Sequence, residues 1–132
     1  MGRRHAGLLA RSLIVVAVIR TALTLTSYRA VSRHILLRHT AQQRRSVPVI
    51  VWGVKHASRI IPKAHCLTRA LAVQYMLARQ GDVSTVRVGV AQDAQGRVEA
   101  HAWALYDDQV LIGGFEEDIG RFTPIADLRP IG

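Results

Sequence analysis

The hydrophobic period of the chain changes once, at Gly81, and that change limits the folds open to it. Before Gly81 the apolar residues recur at helical spacing; after it they alternate. In "TVRVGV" (85–90), Val86, Val88 and Val90 fall on one face. "VEAHAWALY" (98–106) reads as a second strand, "QVLIGG" (109–114) as a third and "RFTPI" (121–125) as a fourth. "QDAQGR", with Gly96, and the pair Asp107-Asp108 supply turns. Helices followed by an antiparallel sheet make the class α+β.

Ahead of the sheet, residues 7–26 and about 28–44 read as helical, although the β-branched run Leu13–Ile19 speaks against helix there. "QQRRSVP" (42–48) is a break, because Pro48 disfavours helix in the residue before it. Val49–Ile61 is a shorter helix closed by Pro62. From Leu67 the pattern is strongest. Leu67, Ala70, Leu71, Val73 and Leu77 form one apolar face, Thr68, Arg69 and Arg79 lie off it, and Gly81 is a natural stop. With 132 residues the chain is expected to be one domain, residues 1–47 a helical basic region and 48–132 the core.

The charge is unevenly spread. Residues 1–81 carry 14 Lys or Arg and no acid; residues 82–132 carry 4 Lys or Arg and 9 acids, so +14 and −5 give the net +9. Such an asymmetry suggests an acidic partner for the first part, against the plainer reading of an arginine-rich solvated surface. In "GLLARSLIVVAVIRTALTLT", Arg11 and Arg20 interrupt the apolar run, and Ser12–Ile19 alone is too short for a bilayer. A buried helix is expected, with membrane association at most weak. The absence of a basic cluster, the few aromatics and the lack of a binding signature argue against nucleic acid.

Cys66 is the only cysteine, which excludes an internal disulfide and a cysteine-based zinc site and points to a reducing, cytoplasmic setting. It falls where a loop becomes the strongest helix. Unpaired N–H groups and the helix dipole favour a thiolate there, and Lys63 and His65 add positive potential. The plain alternative is a small apolar filler, since free cysteines are often buried and inert. His101 gives the nucleophilic reading a partner. By alternation Glu99, His101, Trp103 and Leu105 share a face, and a helix packed on this sheet would bring Cys66 to His101. The plain reading of His101 is a half-buried strand histidine. The other five histidines show no metal-ligand spacing, so no metal is expected.

An imidazole also needs an orienting group. With Asp107-Asp108 as a two-residue loop, Tyr106 pairs with Gln109 and Leu105 with Val110, which sets His101 opposite Gly114. A glycine cannot orient the ring. Glu116, Glu117 or Asp118 could fold back from the loop that follows, and Asp118 is the candidate third member.

"HCLTRALAVQYMLARQG", "VRVGV" and "AHAWALYDDQVLIGG", in this order and spacing, resemble the transglutaminase-like leader peptidases of lasso-peptide biosynthesis over about residues 50–125. The resemblance implies a papain/transglutaminase-like fold and a cysteine peptidase that needs no cofactor. It makes Cys66 the nucleophile, His101 the base, and Trp103 a neighbouring aromatic that is structural or lines the cleft. The chain offers no clear match for the family's aspartate. His65 is a cleft candidate beside the nucleophile. The family removes the leader from a ribosomally made precursor, and a partner cyclase closes the ring. With no segment of the size of a recognition domain, this chain is expected to use a separate leader-recognition protein, with Arg44 and Arg45 as candidate docking residues. Two other readings stay open: a cysteine acyltransferase of the same fold, and a non-enzymatic basic module that binds an acidic protein or nucleic acid.

Overall fold

The computed structural model describes residues 6–35, 46–60, 66–107, 109–112 and 122–130. Among these residues four helices, α1 (Ala6–Leu25), α2 (Tyr28–Arg33), α3 (Val47–Ile60) and α4 (Cys66–Ala78), precede four strands, β1 (Thr85–Gln92), β2 (Val98–Tyr106), β3 (Gln109–Ile112) and β4 (Thr123–Leu128). The strands form one antiparallel sheet in the order β3-β2-β1-β4. The α+β class read from the period change is the class observed.

α1 is helical through its β-branched run, because tertiary packing overrides a weak propensity. Leu8, Ser12, Val15, Val16 and Ile19 are buried along one flank, while Ile14, Val18 and Leu25 are exposed. By length and hydropathy α1 could cross a membrane, which the interrupted run in the sequence did not suggest; in this fold it packs against α3 and α4. α2 is shorter than expected. It ends at Arg33, where the His34 N–H turns back to the Val31 carbonyl at 3.0 Å; residues 36–44 lie outside the described residues. α3 starts two residues earlier than expected. Pro48 sits in its first turn, where a missing N–H costs nothing, and the Ser46 carbonyl accepts from Val49 and Ile50.

α4 is the central element, in contact with α1, α3 and the sheet. Ala70, Leu71, Val73 and Leu77 are fully buried as the apolar face requires, but Thr68, Ala72, Gln74, Met76 and Ala78 are buried as well. A helix enclosed by helices on one side and a sheet on the other has almost no solvated face, which is why Thr68 does not lie off the core. Beyond Ala78 the chain turns through Gly81 at φ 88°, with the Gly81 N–H on the Ala78 carbonyl and the Asp82 N–H on the Leu77 carbonyl. Only glycine takes that backbone conformation without strain.

On the sheet, Val86 pairs with Ala104 and Val88 with Ala102. These four residues join the helical core, together with Ala126 and Leu128 at their β4 partner positions. The even-numbered residues of β1 and β2 therefore face the helices.

Candidate functional site

Cys66 is the first residue of α4 and is half-buried, packed against the core. The N–H groups of a helix's first turn have no partner within the helix, so they stand free to meet an anion beside the thiol. Among the described residues Cys66 makes no hydrogen bond and no disulfide. His65 and Lys63, expected to raise the local potential, lie outside the described residues. Three residues on, Arg69 is half-buried and its Nε is buried without a hydrogen-bond partner among the described residues.

The level of Cys66 along the sheet follows from its helix. Gln74 Nε2 donates to the Leu128 carbonyl at 2.7 Å, and Leu128 pairs with Val86, itself opposite Ala104. α4 runs towards the same end of the sheet as β2, because its C-terminal end leads through residues 81–84 into Thr85, which faces Leu105. Cys66 precedes Gln74 by eight residues, about 12 Å of helix at 1.5 Å each. His101 precedes Ala104 by three, about 10 Å of strand. Thiol and imidazole are thus carried by positions at a similar level of the sheet.

They are not carried on the same face. His101 lies opposite Gly89, and Trp103 opposite Arg87, so both project from the face that α4 does not cover. The shared face of His101 and Trp103 is as the alternation implied. The expectation that packing α4 on the sheet would by itself bring Cys66 to His101 is corrected: α4 packs on Ala102 and Ala104, the alternate residues of the same strand.

The face that holds His101 is aromatic. The imidazole stacks on Trp103 at 5.9 Å between ring centroids and 28° between planes, and on Phe122 at 5.3 Å and 30°. Trp103 and Phe122 meet at 6.3 Å and 56°. Trp103 is 2% exposed, and His101 and Phe122 are half-buried. Phe122 escaped the sequence reading. The signal that could have found this cluster is Gly89 within a strand pattern, which marks a close approach. A Cβ there would sit 2.9 Å from Trp103 Cη2, 3.1 Å from Phe122 Cβ and 3.2 Å from the Thr123 carbonyl oxygen.

Further along this face Arg87 grips Asp127 with two hydrogen bonds, 2.8 Å from Nε and 3.1 Å from Nη2. The guanidinium's hydrogen bonds hold the Asp127 carboxyl below the ordinary carboxylate value; the positive charges of Arg87 and Arg129 add to this, and partial burial opposes it.

The candidate orienting residues lie outside the described residues. Tyr106 pairs with Gln109 and Leu105 with Val110 as the turn implied, and Asp107 takes φ 50°. The register then slips by one, setting Ala104 opposite Ile112, the last described residue of β3. The inferred pairing of His101 with Gly114 falls beyond the described residues. Gly114, Glu116, Glu117 and Asp118 lie outside the described residues, as do Arg44 and Arg45. Of the other histidines, His56 is half-buried, its ring tilted by 38° against Trp52 at 4.5 Å between centroids, with its Nδ1 2.9 Å from the Trp52 carbonyl oxygen. No group of three or more His, Cys, Asp or Glu among the described residues is placed to hold a metal ion.

A family profile described as the transglutaminase-like superfamily matches residues 10–127, from within α1 into β4. Comparison with curated proteins and with solved structures gives no match.

Proposed function

The chain belongs to the transglutaminase-like superfamily, typically cysteine-based enzymes that include peptidases and acyltransferases, and on that premise we propose that it is a cysteine peptidase. Within that reading Cys66 is the nucleophile and His101 the general base. The observation that carries it is the position of the only cysteine at the first residue of the central helix, where unpaired N–H groups converge.

The Cys66 thiolate attacks a peptide carbonyl carbon. The oxyanion is held by N–H groups of the first turn of α4, Cys66 among them. Collapse of the tetrahedral intermediate breaks the C–N bond, and the His101 imidazolium protonates the departing amine. Water, deprotonated by His101, then attacks the thioester and releases an acid, returning the thiol. The reading requires thiol and imidazole, carried at a similar level of the sheet, to meet around the side of β2. Asp118 is our candidate to orient the imidazole.

The substrate we propose is the leader of a ribosomally made lasso-peptide precursor, presented by a separate recognition protein and passed on to a cyclase. The support is the resemblance of the cysteine helix and the His-Ala-Trp strand. The acid-free first 81 residues are the proposed docking surface, with Arg44 and Arg45 as its test positions and His65 lining the cleft.

Incubation with such a precursor and its recognition protein, followed by product mass, tests this reading. Hydrolysis yields a leader with a free carboxylate; an acyl group left on an added amine would make the protein a transferase instead. Cys66→Ala should abolish either reaction. Reversing Arg44 and Arg45 to Glu should weaken delivery, and unchanged cleavage and partner binding at low salt would remove the docking assignment. Function that survives Cys66→Ala but not the charge reversal would mean a binding module.

A further inference from the structure

We infer that Phe122 is a positioning residue for His101: with Trp103 it clamps the imidazole over the bare backbone of Gly89. The inference rests on the reading of His101 as the base. Its structural part stands on geometry alone.

The clamp depends on an irregularity in the sheet. Between β1 and β4 the register shifts after Val88: Val88 pairs with Ala126, but Gly89 pairs with Pro124. Ile125 is the extra residue. In a regular ladder Gly89 would meet Ile125, and Phe122, three residues back, would project towards the helices. The extra residue reverses the parity of everything before it. Pro124 then shares the face of Gly89, and Phe122 shares the face of His101, as their 5.3 Å stacking records. Bulges that re-aim a side chain gather beside active sites.

Gly89 completes the arrangement. It is the cross-strand neighbour of His101, and the ring of Trp103 reaches over it to within 2.9 Å of where a Cβ would stand. Any side chain at 89 would displace that ring. With no side chain opposite, the two aromatic rings restrict the tilt of the imidazole. An imidazole packed at 28° to one ring and 30° to the other has its plane restricted. Preorganisation of this kind is what a general base needs, since misplacement of a catalytic group costs rate steeply.

The test reads the ring and the chemistry separately. The His101 ring-proton resonances, assigned by their loss in His101→Gln, should lie upfield of a free imidazole because of the two aromatic rings. They should move downfield in Phe122→Leu and return in Phe122→Tyr. The rate of Cys66 alkylation by iodoacetamide should fall several-fold in Phe122→Leu, recover in Phe122→Tyr, and fall further in His101→Gln. Resonances unmoved in Phe122→Leu would overturn the clamp. Resonances that move while the alkylation rate does not, with His101→Gln still slow, would overturn the positioning role and leave the base assignment intact. If His101→Gln leaves the rate unchanged, the base assignment falls, and the clamp is then judged on the resonances alone. Should Phe122→Leu fail to fold, Gly89→Ala makes the same disturbance from the other side, by pushing Trp103, and must move the same resonances.

Discussion

Gln74, wholly buried in α4, donates from Nε2 to the carbonyl of Leu128 at 2.7 Å and to that of Ser84 at 3.3 Å. This one side chain ties the cysteine-bearing helix to the last strand and to the entry of the first. It fixes the height at which Cys66 stands. Gln74 Oε1 and Ser84 Oγ are buried without a hydrogen-bond partner among the described residues, so replacing Gln74 relieves one unmet group while stranding others. We expect Gln74→Leu to cost about 1 kcal/mol, at the lower end for a buried hydrogen-bonded amide. Urea unfolding measures it; an unchanged midpoint would mean that the tether does not hold the helix.

At Gly53, α3 lies close against α1. A Cβ there would be 2.8 Å from Ser12 Oγ and 3.1 Å from Leu8 Cγ, both fully buried. Neither neighbour has solvent to move into. Gly53→Ala should therefore destabilise the protein by about 1–3 kcal/mol, despite alanine's better helix propensity. A gain in melting temperature would show that the two helices part without strain.

Asp127 gives a pH dependence with a defined sign. Its folded value lies below the ordinary 3.8, so its contribution is fully present above the ordinary carboxylate range and is lost as pH falls through the lowered folded value. Arg87 and Asp127 side chains are 37% and 34% exposed, so solvent screening keeps the pair to about 0.5 kcal/mol or less. Asp127→Asn should lower stability by that amount at neutral pH and by nothing in strong acid. A difference that grew towards acid would reverse the assignment.

Much of the fold was legible. The period change at Gly81 placed the four described strands, β4 only in part (121–125 against Thr123–Leu128), and β2 was read at its observed bounds, Val98–Tyr106. The Asp107-Asp108 turn gave the first pairs of the β2–β3 hairpin because turn length sets register. Two irregularities then broke the inference. The slip at Ala104 and Leu105 and the one at Val88 and Gly89 each add a residue, and a bulge leaves no mark on an alternating pattern until the partner strand is seen. The second slip is what sets Phe122 against His101. Sequence alternation grouped His101 with Trp103 correctly. It could not say which face α4 would choose, because alanines at 102 and 104 look less like a core than Trp103 does. Thr68 was misplaced for a related reason: periodicity describes one packed face, and α4 has two.

The central claim is that Cys66 and His101 work as a pair, and the most direct measurement is the rate of Cys66 alkylation by iodoacetamide at neutral pH, in the folded wild type and in folded His101→Gln. Iodoacetamide reads the thiolate, so a base that takes up the thiol proton raises the rate. We expect wild type to react faster by on the order of tenfold. Equal rates in the two proteins, or a thiol that reacts only after unfolding, would contradict the pairing and leave Cys66 as a packed end of a buried helix.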